Sequence, residues 1–375
     1  MFYVTKALEG IGKIFIIDGP QYDSSWEKII ERAKLNKIIN KYSCKGILIE
    51  LIDLRDEEWE CRGEVILKRK KLKGDPYGNS VIQLNENSEF IGHNGQGRYY
   101  GSDYNTKETN YHHFGRRHEY RLSATALNAD FFINIPKLKT HKKVGVTLSL
   151  KNLVGINTGR NWLPHYTDGD PSIGGDQFPV QKYKNVLERF GVRTFQRLAF
   201  RYPKIIPQIF KTTKQITKQF FGNTDKIIRS GNWYGNDTIW RMVLDINKCL
   251  FHFHKGESNN LKFGRYLSII DGIVAGEGNG PASPDPISTG LLIAGFNPVA
   301  VDCVATKLMG FEYEKIPMLK NAFDIRHLPL VDFSYKDIKI ISNLREYTGK
   351  ITLIDKKCLF HFKPTLGWIG HIELA

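Results

Sequence analysis

The sequence predicts an α/β protein: a mostly parallel sheet flanked by helices, with a basic helical insert and a small strand-rich C-terminal extension. Three observations lead there. Apolar runs such as "KIFIID", "FFINI" and "YLSIIDGIV" alternate with stretches whose apolar residues recur at helical spacing. Loops rich in Gly, Asn, Asp and Pro follow these runs, where ligands bind in open α/β sheets. The 375 residues suffice for two domains or one with insertions, and 41% hydrophobic content supplies a core.

In order along the chain, "KIFIIDGPQYDSSWEKIIERAKLN" reads as a strand, a Gly-Pro turn and an amphipathic helix. "CKGILIELIDLRDE" is a second strand ending in acids. Residues 68–90 read as hairpin or loop, with Gly74, Asp75, Pro76 and Gly78 as punctuation, and 92–118 as polar and irregular. "EYRLSATALNADFFINIPKLKTH" reads as helix, turn and buried strand. These make a first core part over 1–181. A basic insert over 182–230 is broken into two helices by Pro203 and Pro207. The second core part, 231–330, holds two strand-to-loop units, "YLSIIDGIVAGEGNGP" and "TGLLIAGFNPVAVDCVATKLMG", the latter leading into a helix. Residues 331–375 are the extension. "KCLFHF" occurs at 248–253 and 357–362 and reads as two strands, with His252 and His254 on one face.

Composition narrows the function. No apolar run of about 18 residues and no signal-peptide pattern is visible, so the expected location is cytoplasmic. The five cysteines are scattered without a C-x-x-C, which argues against an iron–sulfur cluster, a zinc ribbon or a disulfide framework. The net charge is +15, and residues 182–229 hold twelve Lys/Arg against two acids. Aromatic and apolar residues interleave there, which suits an anionic membrane surface at the inner face better than nucleic acid; a solvated helix packed on the core is the plain alternative.

Four loops could carry chemistry. In "NIPKLKTHKKVGVTLSLKNLVGIN", Lys137 and Lys139 end a strand, and His141 and Lys151 follow. The basic groups suit an anionic substrate, with Asn152 beside them; His141 is a candidate acid/base near neutral pH, and Lys151 a candidate desolvated amine. A solvated basic turn is the competing reading. "NWLPHYTDGDPSIGGDQFP" sets His165 behind a proline among Asp168, Asp170 and Asp176, a candidate metal or sugar-hydroxyl site. "GSDYNTKETNYHHFGRRHEY" concentrates His112, His113 and His118 with acids, candidate divalent-metal ligands at no recognised spacing. "DGIVAGEGNGPASPDP" brings Asp271, Glu277 and Asn279 into a Gly-rich loop that could approach an anionic or sugar-derived ligand. Its G-x-G-x-G and following prolines are not a dinucleotide fingerprint, and neither a Walker A nor a G-x-S-x-G motif occurs.

The first two of these stretches, with "DGIVAGEGNGP" and "GFNPVAVDCVATKLMGF", resemble the domain-of-unknown-function family 362 over about Ile14 to Ile316. Many members of that family carry a ferredoxin-like Cys cluster, which this sequence lacks. The His141-x9-Lys151 spacing is also distantly similar to the nickel-pincer lactate racemase superfamily. That resemblance implies His141 as acid/base, Lys151 as cofactor-bearing or anion-binding lysine, and His165 as metal ligand. The loop departs from the racemase pattern in reading "KKVGVTLSLK". The expectation is an enzyme moving a proton or hydride on an anionic or sugar-derived substrate; the alternative is a non-catalytic membrane-surface protein binding anionic lipid or a lipid-linked intermediate through the insert.

Overall fold

A computed structural model of the chain describes residues 12–43, 46–62, 65–103, 105–180, 228–253 and 265–374. The strand Tyr266–Glu277 is the axis of the main sheet. It pairs in parallel with Phe132–Asn134 and Lys137–His141, and antiparallel with Asp285–Gly295. Gly145–Thr147 adds an antiparallel strand beyond Lys137–His141. Tyr266, Ser268 and Ile270 alternate inward, as the period of a strand requires.

The expected mostly parallel sheet is therefore corrected to a mixed one. The two strand-to-loop units of the second core part are arms of a single hairpin. Only Gly278–Pro284 joins them, too short for the crossover of a dozen or more residues that a parallel return needs.

Helices Ile239–His252 and Pro298–Leu308 pack on the sheet's buried side. The first is buried almost all round, and its Asp245 accepts hydrogen bonds from the Ser88 hydroxyl, the Glu89 amide and the Tyr120 hydroxyl. The second starts where Asn297 caps the Val299 and Ala300 amides at 2.9 and 3.1 Å, with Pro298 at its first position. Residues 248–252 of "KCLFHF" are thus helix, and His252 is not on a strand; helical apolar spacing from Ile239 onward outweighs the six-residue alternation. His254 and residues 182–227 of the basic insert lie outside the described residues.

A parallel pair, Lys13–Asp18 with Leu48–Asp53, forms the N-terminal unit. Its crossover runs through helices Trp26–Arg32 and Leu35–Ser43, and Asp18 and Asp53 end side by side at one edge. Gly19 then passes so close to the Gly155 carbonyl oxygen that a Cβ there would collide with it, which seats this edge against the chain following Lys151.

The C-terminal segment is not strand-rich. It is a chain of 3₁₀ turns with one two-residue pairing, Lys339–Ile340 against Gly349–Lys350. Its aromatics are fixed by packing instead: Trp368 is fully buried, and its ring lies against Gly145.

Candidate functional site

The strand Lys137–His141 delivers His141 to a tight loop. Its Nδ1 accepts the backbone N–H groups of Lys143 at 3.0 Å and Val144 at 3.3 Å. The ring proton therefore sits on Nε2. Three contacts hold the loop in place. Trp368 Nε1 donates to the Lys142 carbonyl at 2.8 Å, the Lys142 amide donates to the Gly280 carbonyl at 3.2 Å, and Thr140 Oγ1 donates to the Gly278 carbonyl at 3.0 Å.

Lys151 stands on the one-turn helix Ser149–Asn152, too short to be stable alone. Buried polar side chains fasten this turn. Asp302 accepts the Ser149 and Leu150 amides, and Asn134 donates to the Ser149 carbonyl and accepts from Asn152 Nδ2. Asn247 donates to the Leu150 carbonyl, and the Ser149 and Ser268 hydroxyls meet at 2.6 Å. The Lys151 amine itself has no hydrogen bond or ion pair among the described residues. Burial, then the charges of Arg160 and Lys139, lower its pKa to about 7.

His165 follows on the same side. Its Nδ1 donates to the Leu163 carbonyl at 2.8 Å, which leaves the Nε2 lone pair free. Burial, then Lys151 and Lys143, push its pKa down to about 3. The same three influences, burial first, hold His141 well below the usual imidazole range. Both rings are thus neutral at pH 7, in opposite tautomers: His141 presents an N–H and His165 a lone pair. Lys143 is also lowered to about 7, by burial and then Lys142, but its amine is tied to the Ser230 carbonyl and lies 4.9 Å over the Tyr166 ring. Lys151 and His165 are enclosed by protein yet remain partly open to solvent.

Of the residues expected from the sequence, His141, Lys151 and His165 come together. Lys139 borders them, donating to the Pro281 carbonyl at 3.2 Å, and its pKa is lowered by burial and then Lys137. The others lie apart from this chemistry. Lys137 pairs with Asp271 at 2.9 Å on an open face, and Asn152 is engaged by Asn134. Glu277 accepts the Lys363 amide at 2.9 Å and so fastens the C-terminal segment, while Asn279 is exposed. His112 bonds Glu119 at 2.8 Å and stacks on Trp162; His113 is sealed in the core beside Phe90, His118 and Tyr120.

Two charged groups beside these residues escape the sequence reading, Arg160 and Asp18. Arg160 is nine residues past Lys151, and Asp18 ends the first strand before Gly-Pro. Those positions were the available signal. Burial raises the pKa of Asp18, opposed by Arg160.

The profile of the family described as Domain of unknown function (DUF362) matches residues 96–307, more than half of the chain. The chain belongs to the DUF362 family. The match takes in His141, Lys151, Arg160 and His165; Asp18 lies outside it. The thylakoid-associated protein sll1697 of Synechocystis sp. is 25% identical over 221 residues, which cover 58% of this chain. The match spans 43% of that relative's length. No solved structure matches the chain.

The similarity to nickel-pincer racemases does not appear in these comparisons. The donor set also does not make a metal centre: among the described residues, no three His, Cys, Asp or Glu side chains converge as ligands. Among the described residues, His165 Nε2 carries an imidazole lone pair without a partner, and His112 and His113 are engaged elsewhere. No step is derived through a metal.

Proposed function

We propose that this DUF362 protein is an enzyme that binds an anionic or sugar-derived substrate over His141, Lys151 and His165 and moves a proton or hydride at a carbon centre. The observation that carries this is the pair of opposite imidazole tautomers beside an unpartnered amine. A lone pair on His165 can take a proton while the His141 N–H donates to the oxygen on which charge develops. A lysine titrating near 7 can supply or accept a proton in the same range, and burial with surrounding cations keeps both imidazoles neutral. The role of base, expected for His141, passes in this reading to His165, because His141 Nδ1 is occupied by two backbone amides.

The test is genetic complementation of a deletion in the native host. His141→Ala, Lys151→Ala and His165→Gln should each fail to restore the phenotype while remaining folded and expressed. Full rescue by His141→Ala and Lys151→Ala together would end this reading.

A second reading is favoured by the charge of residues 182–229 and by the thylakoid association in the relative's name. In it the basic segment docks the protein on an anionic membrane surface or a lipid-linked intermediate. Among the described residues no helix is long and apolar enough to cross a membrane. Flotation with phosphatidylglycerol vesicles at low salt tests it: protein that stays at the bottom of the gradient has no such role.

A further inference from the structure

Arg160 opens the turn Arg160–Trp162, and its backbone N–H donates to the Tyr22 hydroxyl at 3.2 Å. That bond anchors the residue to the N-terminal unit. The guanidinium is treated differently. Among the described residues it makes no hydrogen bond or ion pair, and its Nε is buried without a partner. Buried donors are rarely left so, and a guanidinium carries five of them.

Its neighbours do not pair it. Asp18 acts on Arg160 electrostatically but stays outside ion-pair contact, so the obvious acid does not close the fork. A Cβ on Gly19 would come within 3.3 Å of Nη2, so the missing side chain leaves the fork clear. Lys139 and Lys151 stand near enough for mutual repulsion. Asp18 takes a backbone hydrogen bond from Gly19 and leaves the three cations in excess, so the site gains stability when an oxyanion enters.

We propose that Arg160 is the anion anchor of this site, taking two oxygens of a carboxylate or phosphate group of the substrate in its planar fork, with Lys151 alongside. The proposal rests on the reading of these residues as a substrate site and names the group by which substrate is held. It has a consequence for the chemistry. An anion on Arg160 screens the neighbouring charge that acts most strongly on Lys151, so binding raises the proton affinity of that amine just as substrate arrives.

Isothermal titration calorimetry of the full chain at low ionic strength tests it, with inorganic phosphate in one arm and malonate in the other. The wild-type protein should take up at least one of them at a single site. Arg160→Gln should weaken that binding by about tenfold or more, and Arg160→Lys, which keeps the charge and loses the fork, by less. The probe whose affinity collapses identifies the oxyanion. The proposal is overturned if wild-type protein binds neither probe, if Arg160→Gln binds as wild type does, or if both variants fail to fold, which would make the guanidinium a structural group. His165→Gln separates this from the proton-transfer reading: it should keep the anion affinity while failing to complement. A complementing His165→Gln would sink the base assignment and leave the anchor standing.

Discussion

The Asp302 carboxylate accepts the Ser149 amide at 2.7 Å, and with its other oxygen the Leu150 amide at 2.9 Å. A residue in the middle of one helix thereby caps the start of another, much shorter one. Leu148, the residue in the capping position, has no side chain that could do so. The cap is supplied from 153 residues downstream.

Asp302→Asn should therefore loosen the Lys151 turn. One amide would face a donor in place of an acceptor in a buried setting, which costs about 2–4 kcal/mol. Urea unfolding measures the loss. Acylation of the Lys151 amine, mapped by mass spectrometry, should slow at pH 7 as the amine gains freedom to reach solvent and recovers an ordinary pKa.

Lys151 predicts a pH dependence of stability. Its pKa is about 7 folded against a model-peptide value of 10.5, so between those limits the unfolded chain binds more protons. Stability should rise with pH across that window, and the penalty is fully present below about 7. Lys151→Met should be more stable than wild type at pH 7, with the difference shrinking toward pH 10.5. Thermal melts across that range read it out; Lys143, shifted alike, keeps part of the slope in the variant.

His113 works at the acid end. Burial, then the neighbouring His118, holds its pKa well below 6.5, so below that pH the unfolded chain binds the extra proton and stability falls. His113→Phe fits a niche already lined by Phe90, Tyr99 and Tyr120. The acid-unfolding midpoint, followed by near-ultraviolet circular dichroism, should move to lower pH.

Trp368→Ala removes a fully buried indole and its bond to the Lys142 carbonyl. The loss should be about 3–5 kcal/mol, the usual range for a core tryptophan. Because the Lys142–Val144 loop supplies the amides that set the His141 tautomer, the same variant should also fail complementation at temperatures where it is still folded. Nuclear magnetic resonance of the His141 ring nitrogens would show the tautomer becoming mixed.

How far the sequence reveals this arrangement depends on the range of each determinant. The strands around Ile14, Ile133 and Ile269 and the helix after Pro298 announce themselves by local periodicity and by Asn297-Pro298 as cap and first residue. The direction of the Asp285–Gly295 strand does not, because parallel and antiparallel strands share one apolar rhythm and only the length of the Gly278–Pro284 link distinguishes them. His141 and Lys151 could be read because they share one basic, Gly-punctuated stretch, and His165 because it follows a proline in the acidic loop after it. Arg160 belongs to none of the four loops singled out in the sequence, and Asp18 comes near it only through tertiary docking of Gly19 on Gly155. His112, His113, Asp271, Glu277 and Asn279 had the right chemical types, but their neighbours in space, unseen in the sequence, engage or expose them elsewhere.

The bond from Trp368 to Lys142 joins residues 226 positions apart. On a ribosome the strand that carries His141 emerges long before the indole that steadies its loop. Until Trp368 arrives, the loop whose amides fix the His141 tautomer lacks one of its three ties. A loop made early is thus completed by a residue translated 226 positions later, so the surroundings of His141 depend on the folding of the C-terminal segment.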